Sequence, residues 1–224
     1  MRSLVLFDID GTLVRRAGPQ HRLALIEGIR LVTGVETITD GIPVHGMLDP
    51  DILTLMMRAA GIPDPVIESH LPGIFEAAQD IYDATVPPDL TKAVCPGVPA
   101  LLSHLHDTGV TLALVTGNLT RIGWRKIERA GIRDYFRFGG FGEMAKTRGG
   151  LARLAIEQAR SEGLIDSESR IALIGDAPQD IIAAKENGIR SIAVRTGVTP
   201  EGEREACYPD HLLDDLTCLD LSII

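Results

Sequence analysis

The 224-residue chain is short of the features that mark special environments. It has three cysteines, Cys95, Cys207 and Cys218, an odd number with no C-x-x-C pair, so neither a disulfide framework nor a zinc site is indicated. A reducing, cytoplasmic setting is expected. No apolar run reaches the roughly 18 residues of a membrane-spanning helix, and the N-terminus turns acidic at Asp8, too soon for a signal peptide. A basic excess is missing too, since 22 Lys and Arg stand against 31 Asp and Glu, for a formal charge of −9. That balance excludes a general nucleic-acid binder or a polybasic membrane-surface protein, both of which need a basic face. It does not exclude an anionic small molecule, because a bound divalent cation would be the largest charge in a local site.

What is present is an ordinary soluble composition, 45% hydrophobic and 24% charged, long enough for one domain carrying a smaller insertion. Four short apolar runs read as buried parallel strands: Leu4 to Phe7, Val110 to Val115, Ile171 to Ile174 and Ser191 to Val194. Helical spacing marks Pro99 to His106, Arg121 to Ala130, Leu151 to Ser161 and Asp180 to Asn187, each closed by a glycine soon after. Alternation of this kind predicts an α/β fold with a doubly wound, Rossmann-like parallel sheet. Residues 14–92 break the rhythm and read as helices only: Gln20 to Val32, Asp51 to Ala60, and Pro65 to Ala84 with a break at Pro72-Gly73. The expected organisation is therefore a core of residues 1–13 and 93–224 with an all-helical cap of residues 14–92. The exit falls at Arg15 to Gly18 and the return hinge at Pro87-Pro88.

The acidic residues collect at strand ends. The first strand runs into Asp8-Ile9-Asp10-Gly11-Thr12, where two carboxylates two residues apart share a side if the chain is extended. Ligands of open parallel sheets bind at that edge. A calcium loop fits poorly, because the third acidic position and the terminal glutamate are missing. The second strand ends in Thr116-Gly117-Asn118, a hydroxyl and backbone N–H groups suited to phosphate oxygens, although Asn118 or Thr120 alone would also serve as a helix cap. A later strand ends in Gly175-Asp176-Ala177-Pro178-Gln179-Asp180, where Asp180 is placed to cap the following helix. Together, Asp8, Asp10, Asp176 and Asp180 would put about four negative charges in one pocket, which calls for a hard cation. Mg²⁺ fits better than an all-protein calcium cage, and zinc would want nitrogen or sulfur ligands. Lys146 and Arg148, just before a helix starting near Gly150, are the candidates for a balancing positive group.

In this order the motifs resemble the four signatures of the haloacid dehalogenase-like (HAD) hydrolase superfamily, and the helical insertion resembles the small cap of its phosphoglycolate phosphatase-like branch. The resemblance implies that Asp8 is a nucleophile forming an aspartyl-phosphate, and that Asp10 is first the acid for the leaving alcohol and then the base for water. It further implies that Thr116, Gly117 and Asn118 hold phosphate oxygens. Asp176, the Asp8 carboxylate and the Asp10 backbone carbonyl would bind Mg²⁺, with Asp180 orienting a water or a neighbouring ligand. The family commonly has Lys-Pro at the third signature; here the run is Ala145-Lys146-Thr147-Arg148, and spacing to Leu151 and Leu154 favours Arg148, with Lys146 as the fallback.

The implied activity is Mg²⁺-dependent hydrolysis of a small-molecule phosphate ester by a monomer or homodimer. A 2-haloacid dehalogenase would lack an aspartate at position 10, and a phosphonatase would need a cap lysine, whereas residues 14–91 contain none. A phosphosugar mutase shares the core motifs and is the nearest rival enzyme; a non-catalytic phospho-switch is the rival from another class. In the insertion, Arg15, Arg16, His21, Arg22 and His45 are candidate substrate contacts, Gly46 to Asp49 a candidate substrate-side loop, and Met56, Met57 and Trp124 packing residues.

Overall fold

β1 (Ser3–Phe7) carries four consecutive wholly buried residues, Leu4 to Phe7. A strand apolar on both faces must lie inside a sheet covered on both sides. The computed structural model, which describes residues 2–15 and 18–220, places it there. The sheet order is β3 (Phe138–Gly140), β2 (Thr111–Val115), β1, β4 (Arg170–Gly175), β5 (Arg190–Val194) and β6 (His211–Leu213), with every pairing parallel. This is the 3-2-1-4-5-6 order of a Rossmann-like sheet, whose crevice opens at the carboxyl ends of β1 and β4, where the chain switches direction.

Alternate strand residues serve two cores. Leu4, Leu6, Ala113, Val115 and Leu173 pack with α6 (Arg148–Ser161) and α7 (Pro178–Glu186). Val5, Phe7, Leu112, Leu114 and Ile174 pack with α4 (Val98–Asp107) and α5 (Thr120–Arg129). The second cluster continues without a gap into α1 (Gln20–Thr33), α2 (Asp49–Ala59) and α3 (Asp64–Thr85), through Leu25, Ile29, Leu53, Met56, Ile74 and Tyr82. These three helices stand between β1 and β2 in chain order.

Two expectations are corrected. α3 does not break at Pro72-Gly73; it runs through both residues. Pro72 deprives the Glu68 carbonyl of a helical donor, at a cost of about 3 kcal/mol, but both residues face solvent, where water can take the bond. The buried stripe Ile67, Ile74, Ala78 and Tyr82 keeps helical spacing across the proline, and its packing favours one continuous helix. Strands β3 and β6 were not expected. Each has three residues, two of those in β3 are glycines, and β6 is only half-buried, so neither carries a hydropathy period.

Candidate functional site

The ends of β1, β2 and β4 and the starts of α6 and α7 converge on one crevice. Asp8 directly follows β1, is almost wholly buried, and donates its N–H to the Ile174 carbonyl at 3.0 Å. The chain then turns sharply, since the N–H groups of Leu13 and Val14 both bond the Ile9 carbonyl, at 3.0 and 2.9 Å. Thr116 follows β2 and Asp176 follows β4, both buried. Arg148 opens α6 behind the N-cap Thr147, whose hydroxyl accepts the Gly150 N–H at 3.0 Å. Its Nη1 reaches Asp8 Oδ1 at 2.9 Å, Asp180 Oδ1 at 3.2 Å and the Val115 carbonyl at 3.2 Å. Lys146, two residues earlier, is exposed and lines a separate groove with Arg58 and Asp64.

Asp180 caps α7 as expected, accepting the Ala177 N–H at 3.1 Å, and also faces Arg148. Asn118 and Thr120 do not cap α5. The N-cap position is Leu119, without a side-chain cap; the Thr120 N–H bonds Glu143 at 3.0 Å instead. Asn118 Nδ2 donates to Asp10 Oδ2 at 2.8 Å and to Thr116 Oγ1 at 2.6 Å, tying two of the strand ends together. Gly117 has a steric reason to be glycine, because a Cβ there would lie 2.1 Å from the Met47 carbonyl oxygen, where the loop preceding α2 presses on the β2–α5 turn.

Asp8, Asp176 and Asp180 each offer an oxygen within 4.8 Å of the others. Both Asp176 oxygens are buried and have no hydrogen-bond donor. The nearest side-chain cation is His45, 3.5 Å away if protonated. The close approach requires a bare backbone, since a Cβ on Gly197 would sit 1.6 Å from Asp176 Oδ2. Burial and mutual repulsion push Asp176 up to about 8; Asp8 rises to about 7 by burial and by the charges of Asp180 and Asp10, against the pull of Arg148. Asp180 is raised by burial in spite of Arg148. Orphaned carboxylate oxygens held too close for all of them to ionise are the donor set of a hard, oxygen-seeking cation.

Asp10 behaves differently. Burial works to raise it, but the Lys126 ammonium, His21 and two hydrogen-bonding partners outweigh that and hold it at about 2. Lys126 was not singled out from the sequence, yet it is 5% exposed and bonds Asp10 at 2.6 and 2.7 Å, Asn118 Oδ1 at 2.7 Å and His21 Nδ1 at 3.1 Å. The available sign was position, since Lys126 shares the buried face of α5 with Ile122, Gly123 and Ile127. Asp49 was also missed as a polar partner; buried at the start of α2, it accepts from His21 Nε2 at 2.9 Å and the Leu119 N–H at 2.8 Å. Thr199 and Arg204 complete the surround, donating to the Asp176 carbonyl at 2.8 and 3.0 Å.

Asp8, Asp10, Thr116, Asn118, Lys126, Arg148 and Asp176 line a cavity of about 700 Å³, and Arg15, His21, Arg22, His45, Gly46, Met47 and Asp49 reach it from the helical insertion. Arg16 lies outside the described residues. Met56 and Met57 are buried packing residues, and Trp124 packs on Phe141 with the Arg133 guanidinium 3.7 Å from its ring centre.

The carboxyl shifts set a pH dependence in the absence of divalent cation. Asp8 and Asp176 bind protons more tightly folded than at their ordinary value of 3.8, so their contribution to stability is full below pH 3.8 and is lost as pH rises through about 7 to 8. Asp10 has the opposite sign; its contribution is present above 3.8 and lost as pH falls through about 2. The urea midpoint in EDTA is therefore expected to fall between pH 5 and pH 8, roughly the window in which Asp8 and Asp176 ionise only at the expense of the fold. A midpoint that rises across that window would contradict these environments.

The comparisons with known proteins agree with this geometry. The family model for haloacid dehalogenase-like hydrolases matches residues 3–188. A phosphoglycolate phosphatase of Pseudomonas fluorescens is 30% identical over 96% of this chain and 78% of its own length. Among solved structures, CbbY from Rhodobacter sphaeroides in complex with phosphate superposes with a TM-score of 0.72 at 22% identity, covering 98% of this chain and 96% of its own. A β-phosphoglucomutase from Clostridium difficile superposes at 0.70 with 16% identity, covering 99% and 95%. Those two likenesses show the fold. Family match, relative and architecture lead to one conclusion: the chain belongs to the haloacid dehalogenase-like hydrolases, in their phosphoglycolate phosphatase-like branch.

Proposed function

We propose that the protein is a Mg²⁺-dependent phosphatase that hydrolyses a small-molecule phosphate monoester through an aspartyl-phosphate on Asp8. The observation that carries this reading is the convergence of Asp8, Asp10, Thr116, Asn118, Arg148 and Asp176 on one cavity at the carboxyl edge of the sheet. Phosphoryl transfer asks chiefly for positioning and charge neutralisation, and the site offers both. Residues 14–92 would act as a cap over a core formed by residues 1–13 and 93–224, and substrate choice would fall to the insertion residues that line the cavity.

An oxygen of Asp8 attacks phosphorus in line with the ester oxygen; the bond to the alcohol breaks as the bond to Asp8 forms. Asp10, ionised in the free protein, takes up a proton as the monoanionic ester binds and gives it to the departing alkoxide; it later takes one from the water that attacks the phosphorus of the aspartyl-phosphate, freeing inorganic phosphate and restoring Asp8. The Thr116 hydroxyl and the backbone N–H groups of Gly117 and Asn118 hold phosphate oxygens, and Arg148 balances their charge while orienting Asp8. Asp8, Asp176 and the Asp10 backbone carbonyl would hold Mg²⁺, with Asp180 beside them; the ion would supply positive charge against the phosphoryl group and relieve the repulsion among these carboxylates.

The test is a panel of small phosphate esters, 2-phosphoglycolate and p-nitrophenyl phosphate among them, assayed with Mg²⁺ and again with EDTA. Turnover of at least one ester that is lost in EDTA and returns with Mg²⁺ is expected. Binding of phosphate without turnover of any ester would favour a phospho-switch. Activity on a sugar phosphate that depends on a bisphosphate activator would favour a mutase.

A further inference from the structure

The three N–H groups of the Lys126 ammonium are shared among four acceptors within 3.1 Å, both oxygens of Asp10, Asn118 Oδ1 and His21 Nδ1. An ammonium has donors only, so the Asp10 oxygens it touches are held as acceptors. Asn118 Nδ2 adds a second donor to Oδ2 at 2.8 Å, and the carboxylate is thereby fixed in rotation as well as in place. The lysine is held in turn, since a His21 Nδ1 that accepts from Lys126 leaves Nε2 to donate to Asp49 Oδ2, which also takes the Leu119 N–H. The ring of contacts thus joins the β1 loop, two helices of the insertion and the turn before α5. A buried lysine is costly unless paired, and every direction in which this one is paired leads to the site.

We propose that Lys126 is a positioning residue that aims Asp10 as the proton acceptor for the hydrolytic half of the reaction. The inference rests on the reading of Asp10 and of the aspartyl-phosphate given above. Asp10 must there present a fixed acceptor to the attacking water, and Lys126 with Asn118 supplies the fixing. A good leaving group needs little proton donation in the first half. With p-nitrophenyl phosphate, then, loss of Lys126 should slow breakdown of the intermediate while sparing its formation.

The experiment compares wild type with Lys126→Met on p-nitrophenyl phosphate in Mg²⁺, with acid quenching to trap phosphoprotein. Expected is a fall in kcat of about 100-fold, the scale of a lost proton-transfer contribution, with KM falling in parallel, kcat/KM changed less than about threefold, and phosphoprotein accumulating. A merely structural role would instead lower kcat/KM along with kcat and trap no phosphoprotein, and that result would overturn the proposal. Should Lys126→Met fail to fold, Lys126→Gln keeps a polar head in the buried position but ends one bond short of the ammonium and without its charge, and carries the same expectation. If neither wild type nor either variant traps phosphoprotein on rapid quench, the phosphatase mechanism fails and this inference with it. Phosphoprotein in wild type with no accumulation in either variant defeats the inference alone.

Discussion

Asp8→Asn is expected to lower turnover by a factor on the order of 10⁴ or more while leaving the fold intact. The amide keeps the shape of the carboxyl but is far less nucleophilic, and no other carboxylate takes its place. Asp10 is held by Lys126 and Asn118, and Asp180 is committed to the Ala177 N–H and to Arg148. The substitution also relieves one buried charge that burial and its neighbours already oppose, which limits the loss of stability. Steady-state kinetics on the best ester of the panel, with a urea unfolding curve beside it, measures both quantities. Residual activity above about one percent in a folded variant would remove Asp8 from the nucleophile's role.

Arg148→Ala should carry the second largest effect, and Lys146→Ala almost none. Arg148 is the buried cation shared by Asp8 and Asp180, so its removal strands carboxylates that cannot reach solvent. Breaking a buried pair of this kind costs about 3–5 kcal/mol. Loss of a fixed positive group facing a phosphoryl adds a fall of about 10²- to 10³-fold in kcat/KM. Lys146 is exposed and outside the cavity, and its truncation should stay within about 0.5 kcal/mol and leave turnover unchanged. Arg148→Lys should recover only part of the activity, because Nη1, which alone meets Asp8, Asp180 and the Val115 carbonyl, stands one bond farther from the backbone than a lysine ammonium does. Kinetics and denaturation of the three variants check the ranking; a greater loss in Lys146→Ala would reverse the assignment.

The motif residues were legible because each stands where an apolar run ends, and a parallel sheet gathers such ends on one edge whatever the connections between them are. Asp8, Thr116 and Asp176 follow β1, β2 and β4 in that way. Arg148 could be preferred to Lys146 from its helical spacing to Leu151 and Leu154, a local argument; of the two, Leu151 is buried on α6 and Leu154 is exposed. Lys126 was illegible for the opposite reason. Its partner Asp10 is 116 residues away, and a lysine on the buried face of a helix does not disclose what it meets there. His21 and Asp49 stood within reach of the same difficulty, noticed as polar residues of the insertion but not as members of one hydrogen-bonded ring.

Hydropathy period and glycine placement by themselves determined a wound α/β core, an all-helical insertion, and the standing of Asp8 and Asp176 at strand ends and of Asp180 at a helix start, because each follows from the chain within a few residues of itself. Tertiary structure alone decided the strand order, the passage of α3 through Pro72, the short edge strands, and the opposite environments of Asp10 and its neighbours Asp8 and Asp176. Those outcomes depend on which surfaces come together across long stretches of chain. Burial, with the charges of Asp180 and Asp10, raises Asp8 in spite of Arg148, Lys126 outweighs burial and lowers Asp10, and two aspartates separated by a single residue end with opposite tendencies to hold a proton.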